Sequence, residues 1–282
     1  MERTLGVSTR LWTRRLDDAS LAELAAHAAA LGFGAIELPL ENPGDWDPAA
    51  AREVLAGHGL APVVIGVMTP LRNLVSAPEA EITATGHYLA QCIDVAAELG
   101  ADTVAGPLHA STGRTWTMTG AEREHAYLQL RTNLAPLVDR AVARGVTLAI
   151  EPLNRYETSF INTVDQAFDA LEPLLGPGLG MLLDTYHLNI EEGNIAASVA
   201  RAMGHIAHVQ VSGNNRGAVG ADHFDFNAFI HALDLAGYTG PLCVESFAPG
   251  SAHTWRPLAS SQDALASDSL GYLRNLQLGG LR

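Results

Sequence analysis

The sequence predicts a single closed (β/α)8 TIM barrel, and three observations predict it. A short apolar, strand-like run followed by a helix-like stretch recurs eight times along the 282 residues. The runs are near-continuous in aliphatic residues, as strands buried on both faces of a parallel sheet must be. Acidic side chains close several of the later runs, where the strands of a barrel converge on one mouth. Regular strand–helix alternation argues for parallel pairing, and the count of eight favours closure over an open doubly wound sheet. The length suits one barrel of about 250 residues, so 1–282 is expected to form one domain.

Strand one lies at 4–8 (TLGVS). The helix after it, 18–31, can be capped by Asp17 or Asp18, and LAELAAHAAAL carries the helical period. Strand two is 34–38 (GAIEL), followed by a helix near 47–58 with proline in its first turn. Strand three, 61–67, leads through a loop at 68–78 to a helix at 79–99 that stops at Gly100. Strand four is 102–106, with a loop at 107–118 and a helix at 119–144 that stops at Gly145. Strand five, 146–151, precedes a helix near 163–174, and strand six, 179–184, precedes one near 194–203. Strand seven is 206–211 with a helix near 226–236, and strand eight is 240–246 with a final helix near 260–276.

Composition narrows the function. Seventeen basic residues against 31 acidic give a formal charge of −14, which repels phosphate backbones and anionic bilayers and argues against nucleic-acid or membrane partners. A local arginine can still attract an anionic small molecule. Cys92 and Cys243 stand far apart inside apolar runs and are expected as buried free thiols. No apolar run reaches the roughly 18 residues that span a bilayer, and with strand one so close to Met1 no leader peptide is expected. The expected location is the cytoplasm.

Three strand ends carry carboxylates: Glu151 closes VTLAIE, Asp184 closes GLGMLLD and Glu245 closes PLCVE, while Gln210 sits near the end of HIAHVQV. Three carboxylates gathered at one mouth repel one another unless a cation lies among them. The pattern therefore predicts a divalent metal site.

The segments AIEPLNRYETSFINT (149–163), LLDTYHLNIEEGNI (182–195), HVQVSGNNRGAVGADHFDF (208–226) and CVESF (243–247) together resemble the xylose isomerase-like superfamily of sugar isomerases and epimerases. Within it they look most like the ketose (tagatose and allulose) 3-epimerases. The resemblance implies a metal held by Glu151, Asp184, Gln210 and Glu245. Gln210 stands where those epimerases have histidine. An amide oxygen is neutral like imidazole but harder, which tilts preference toward manganese or magnesium, with cobalt and zinc also in range. The resemblance further assigns Glu157, His187 and Arg216 to substrate contacts, and Glu151 and Glu245 to proton transfer. The implied reaction is epimerisation of a free keto sugar through a metal-bound enediolate, one glutamate removing a proton and the other returning it on the opposite face. A homo-oligomer, dimer or tetramer, is expected.

Other residues have two readings. His208 lies deeper on the face of Gln210, as a structural barrel histidine or a direct ligand. His109 either lines the pocket or caps its loop, and Glu37, at the end of strand two, is a candidate to face the pocket. Asp222 and His223 look like a metal pair, but DHFDF more simply starts a helix. Trp12, Trp116, Phe247 and Trp255 either stack on a sugar or fill loops. Gln210 also suits an aldose–ketose isomerase of the hydroxypyruvate isomerase type, and the metal-bearing subunit of a C-glycoside-cleaving lyase would reuse the same chemistry. An endonuclease IV-type nuclease would need three metals and a basic face, both at odds with this chain. A non-catalytic sugar-binding barrel is disfavoured by the Glu151/Glu245 pair.

Overall fold

The computed structural model, which describes residues 2–251 and 254–279, closes eight parallel strands in chain order. They are β1 (Leu5–Ser8), β2 (Ala35–Leu40), β3 (Ala61–Gly66), β4 (Thr103–Gly106), β5 (Thr147–Ile150), β6 (Leu179–Asp184), β7 (Ile206–Val211) and β8 (Leu242–Val244), with β8 paired back onto β1. Around them run α1 (Asp18–Leu31), α2 (Pro48–His58), α3 (Glu79–Leu99), α4 (Gly120–Arg144), α5 (Val164–Leu171), α6 (Thr185–Glu191), α7 (Ile195–Arg201), α8 (Phe226–Leu235) and α9 (Gln262–Gly279).

The helix ends follow local chemistry. Asp17 caps α1 and Asp47 caps α2, each accepting a backbone N–H of the first turn, and Thr119 with Glu122 forms a reciprocal capping box on α4. Gly100 and Gly145 end α3 and α4 in the left-handed conformation that the sequence requires of them.

The outward strand faces join the helices in one large apolar core. The barrel interior is divided. Val63, Ile65, Ala105, Ala149 and Leu182 fill the β3–β6 side with an apolar cluster, whereas Glu37, His208 and Gln210 meet on the other side, all buried. β6 and β7 slip by one residue between Met181 and Leu182: Met181 faces Ile206, Leu182 faces His208, and Ala207 is skipped. Gly180 makes room for this, because a Cβ there would stand 2.7 Å from the His205 carbonyl oxygen and 2.9 Å from Ala207 Cβ. The slip sets Asp184 level with Gln210 at the rim.

The structure corrects three expectations. Strand eight is Leu242–Val244 rather than 240–246, so Glu245 lies just beyond it. Strand six runs directly into α6, a short helix unforeseen in the sequence because the side chain of Asp184 itself caps it. The helix expected at 163–174 stops at Leu171 and tightens into a 3-10 turn over Glu172–Leu174, where Pro173 lacks the N–H an α-helix needs.

Candidate active site

Strand ends deliver the carboxylates. Glu151 follows β5, and its N–H extends the ladder by donating to the Gly106 carbonyl (3.0 Å). The Glu151 carbonyl in turn lies 3.2 Å from His109 Nε2. Asp184 ends β6, where its Oδ1 accepts the Tyr186 N–H (2.9 Å), which leaves Oδ2 turned to the mouth. Glu245 follows β8 and donates its N–H to the Val211 carbonyl (3.0 Å). On β7, Gln210 Nε2 donates to both oxygens of Glu37 (3.0 Å each), while its Oε1 is buried without a hydrogen-bond partner.

Arg216 reaches these groups from the loop after β7. Its Nη1 donates to Asp184 Oδ2 and lies 2.7 Å from Glu245 Oε2, and its guanidinium covers the Tyr186 ring at 4.2 Å. Its backbone takes a left-handed turn, φ 65°. Asp222 fixes that turn, accepting the N–H groups of Asn214 and of Phe224. Asp222 is thus a loop anchor rather than a ligand, and His223 meets Asn214 at 3.0 Å.

His187, on α6, lies 3.4 Å from Glu151 Oε1 and 3.7 Å from Asp184 Oδ2. Its Nδ1 accepts the Asn154 backbone N–H at 2.9 Å. The neutral ring then carries its hydrogen on Nε2, facing the mouth. Arg216 Nη2 stands 3.1 Å from that Nε2, donor against donor, so carboxylates rather than His187 hold the guanidinium. Asn154 also donates through Nδ2 to Glu157 Oε1 (2.9 Å), tying both predicted contact residues to the β5 loop.

Glu151, Glu157, His187, Gln210, Arg216 and Glu245 all line one cavity of about 250 Å³, and Arg10, Leu153, Tyr186 and Phe247 complete much of its wall. Residues 25–276 match the model of the xylose isomerase-like TIM barrel. The chain belongs to that family. Among relatives of this family member, a ketose 3-epimerase of Arthrobacter globiformis is 30% identical over 96% of each chain. An L-ribulose 3-epimerase of Mesorhizobium japonicum is 28% identical, covering 95% of this chain and 92% of that one. A crystal structure of a Methylomonas D-allulose 3-epimerase in complex with D-allulose superposes with a TM-score of 0.88 at 27% identity, over 97% of this chain and 96% of that one.

Burial dominates the electrostatics of this xylose isomerase-like site. It raises Glu151 well above the usual carboxylate range, reinforced by the charges of Glu245 and Asp184. It raises Asp184, and it pushes Glu245 up to about 8, both against the opposing pull of Arg216. Burial also lowers His187 well below the ordinary imidazole value, with Arg216 adding to the effect, so the ring is neutral. Burial works against the charge of Arg216 too, but Asp184, Glu245 and Glu151 more than offset it and hold the guanidinium protonated.

The donor set fits a hard divalent ion. Ligand atoms of Glu151, Asp184 and His187 lie within 4.8 Å of one another. The unpartnered Gln210 oxygen and Glu245 Oε2, which faces the Arg216 guanidinium, offer two more oxygens at the same cavity. Oxygen-rich sites of this kind suit Mn²⁺ or Mg²⁺.

The remaining residues sort by contact. His208 lies below the rim, with Nε2 2.7 Å from Glu37 Oε1. His109 is fully buried, lowered to about 4 by burial, and serves the backbone of Glu151 rather than the cavity wall. Of the four aromatics, Phe247 alone lines the cavity. Trp12 donates to Asp263 and meets His27 edge-on, Trp116 stacks on Phe160, and Trp255 is exposed. Cys92 and Cys243 are buried free thiols. Sequence reasoning missed Asn154, whose only signal was its place between Glu151 and Glu157, and Arg10, which follows β1 and was masked by the nearby Arg14 and Arg15.

Proposed function

We propose that this barrel is a ketose 3-epimerase acting on free keto sugars with one divalent ion, Mn²⁺ first and Mg²⁺, Co²⁺ or Zn²⁺ in reserve. The observation that carries the reading is the pair Glu151 and Glu245, both buried, both raised in pKa, and both on the wall of one cavity with Asp184 and the free Gln210 oxygen beside them. The relatives named as ketose, L-ribulose and D-allulose 3-epimerases support it.

Glu151, Asp184, Gln210 and Glu245 would hold the ion. When bound, it supplies Lewis acidity to the ketose carbonyl and so acidifies the adjacent C–H. The rest falls to side chains. One glutamate takes the proton from carbon 3, and the other returns a proton to the opposite face of the planar enediolate, inverting that centre. Burial raises both carboxyls above the ordinary carboxylate range, which favours the protonated form that can return a proton. His187 Nε2–H donates to the oxygen that gains charge, with Arg216 and Glu157 orienting hydroxyls. Leu153 and Phe247 give the cavity an apolar stretch of wall.

Incubating the manganese-loaded enzyme with D-allulose, D-tagatose or L-ribulose in heavy water tests this. Deuterium should appear at carbon 3 of both epimers. Deuterium at carbon 1 with aldose formed would instead establish the isomerase reading that Gln210 suggests, and no exchange with any ketose would remove both.

The wider setting is part of the same proposal. Residues 1–282 act as one barrel domain. The two free thiols suit the reducing cytoplasm, and among the described residues no helix is long and apolar enough to cross a membrane. Leu128 and Val142, both exposed and two heptads apart on α4, suit pairing of copies through helix faces into a dimer or tetramer, which light scattering on the purified protein measures.

A further inference from the structure

An amide ligand poses a problem that imidazole or carboxylate does not. Its oxygen can bind a cation and its NH2 group cannot, yet the two ends have nearly the same shape. A buried glutamine at a metal site therefore needs something to choose which end faces the ion. Taking as given the reading that Gln210 is a metal ligand, we propose that Glu37 is the positioning residue that makes this choice, turning the Gln210 oxygen to the cavity and its NH2 group away.

The geometry is specific. Glu37 ends in two oxygens, and both accept from Gln210 Nε2 at 3.0 Å. An ionised carboxylate accepts only, so the reverse orientation would set the amide oxygen against two carboxylate oxygens in a dry interior. That arrangement forfeits charge-assisted hydrogen bonds and adds repulsion. The opposite end of the amide, Oε1, is left buried without a partner, and Gln210 is one of the residues that line the cavity. Glu37 is itself fixed: it is fully buried on β2, and His208 Nε2 lies 2.7 Å from its Oε1. His208 and Gln210 sit two residues apart on β7, so one carboxylate from across the barrel clamps both. Partners that orient a metal ligand in this manner change affinity about 10–100-fold when removed.

The cluster of Glu37, His208 and Cys243 has ligand atoms within 4.8 Å of one another, which makes a second metal site its rival description. The hydrogen bonds favour the positioning role, since both Glu37 oxygens accept from Gln210 and one also meets His208, and the number of Mn²⁺ bound per chain separates the two.

Titration calorimetry of Mn²⁺ into the chelator-treated full-length protein separates the possibilities, with melting temperature recorded as a check on folding. Gln210→Ala should weaken binding at least about tenfold if the residue is a ligand. Glu37→Gln replaces an acceptor-only group with one that also donates, so the Gln210 amide is free to turn either way, and Mn²⁺ binding should weaken by about tenfold or more. The double exchange Glu37→Gln/Gln210→Glu reverses donor and acceptor while keeping the total charge, and should restore affinity to that of the parent or better. A carboxylate at 210 is a strong ligand by itself, so the pairing is read from the double exchange binding Mn²⁺ more tightly than Gln210→Glu alone, where two carboxylates oppose each other; equal affinity in the two would overturn the positioning role. Parent-like affinity in Gln210→Ala would overturn the ligand reading. Weakened binding in Gln210→Ala with parent-like binding in Glu37→Gln would overturn the positioning role alone. Two Mn²⁺ per chain, falling to one in Cys243→Ser, would replace it with a second metal site.

Discussion

At the scale of single residues, the orientation of His187 matters most. Its Nδ1 is occupied by the Asn154 N–H, so a neutral Nε2–H points at the mouth, where the proposed mechanism has a carbonyl oxygen gain negative charge. Donors aimed in advance at developing charge contribute about 10²–10³ in rate. His187→Ala should therefore lower kcat by about that factor while leaving Mn²⁺ affinity within a few-fold of the parent. Steady-state kinetics beside a metal titration checks both halves, and a large loss of affinity would recast His187 as a ligand. The carboxylates Glu151, Asp184 and Glu245 were readable from the sequence because each is the sole acid at the end of an apolar run. The role of Glu37 was not, because it depends on β7 bringing His208 and Gln210 to it from 171 and 173 residues away. No local pattern reports a contact of that range.

At the scale of elements, loops set the chemistry. Asp222 gathers the backbone between Gly213 and Phe224 and so aims Arg216. The run DHFDF was legible as the approach to α8, with Asp225 capping it, but nothing in it announced that an acid three residues before the cap would anchor the preceding turn. Asp222→Ala should release that turn. The expected result is a kcat/KM loss of about tenfold or more, as for misplaced positioning groups, with a stability cost within the 0.5–3 kcal/mol typical of single substitutions. An unchanged kcat/KM would show that Arg216 holds its place without Asp222. α6 was missed for a related reason: its cap, Asp184, had already been assigned to the strand, and one side chain serves both.

At the scale of the molecule, the barrel concentrates acids where water is scarce, and stability then depends on pH. Glu245 is held up at about 8 and ordinarily titrates at 4.5, and Glu151 and Asp184 are raised in the same direction. Between those values the folded chain keeps protons that the unfolded chain has released. Stability of the metal-free protein must therefore fall as pH rises through that window. Its melting temperature should be lower at pH 8 than at pH 5.5, and Glu245→Gln should flatten the trend. A melting temperature that climbs over the same range would refute the assignment. Mn²⁺ should also bind more tightly toward pH 8, because ligands must shed protons first. The eight-fold alternation fixed this architecture in advance, whereas the division of the interior into an apolar side and a Glu37-centred polar side came only from seeing which strands face one another.

The skipped Ala207 carries a last consequence. Side chains along an extended strand take turns between inside and outside, so an odd residue switches the parity of the count for everything after it. Excising that one alanine would make Ile206 and His208 consecutive, one outward and the next inward, so the slip would vanish while Gln210 stayed level with Asp184 and faced the mouth as before. Chimeras that splice the seventh strand of a relative into this chain must therefore be aligned by counting from the odd residue, since matching similar letters across it would invert the wall.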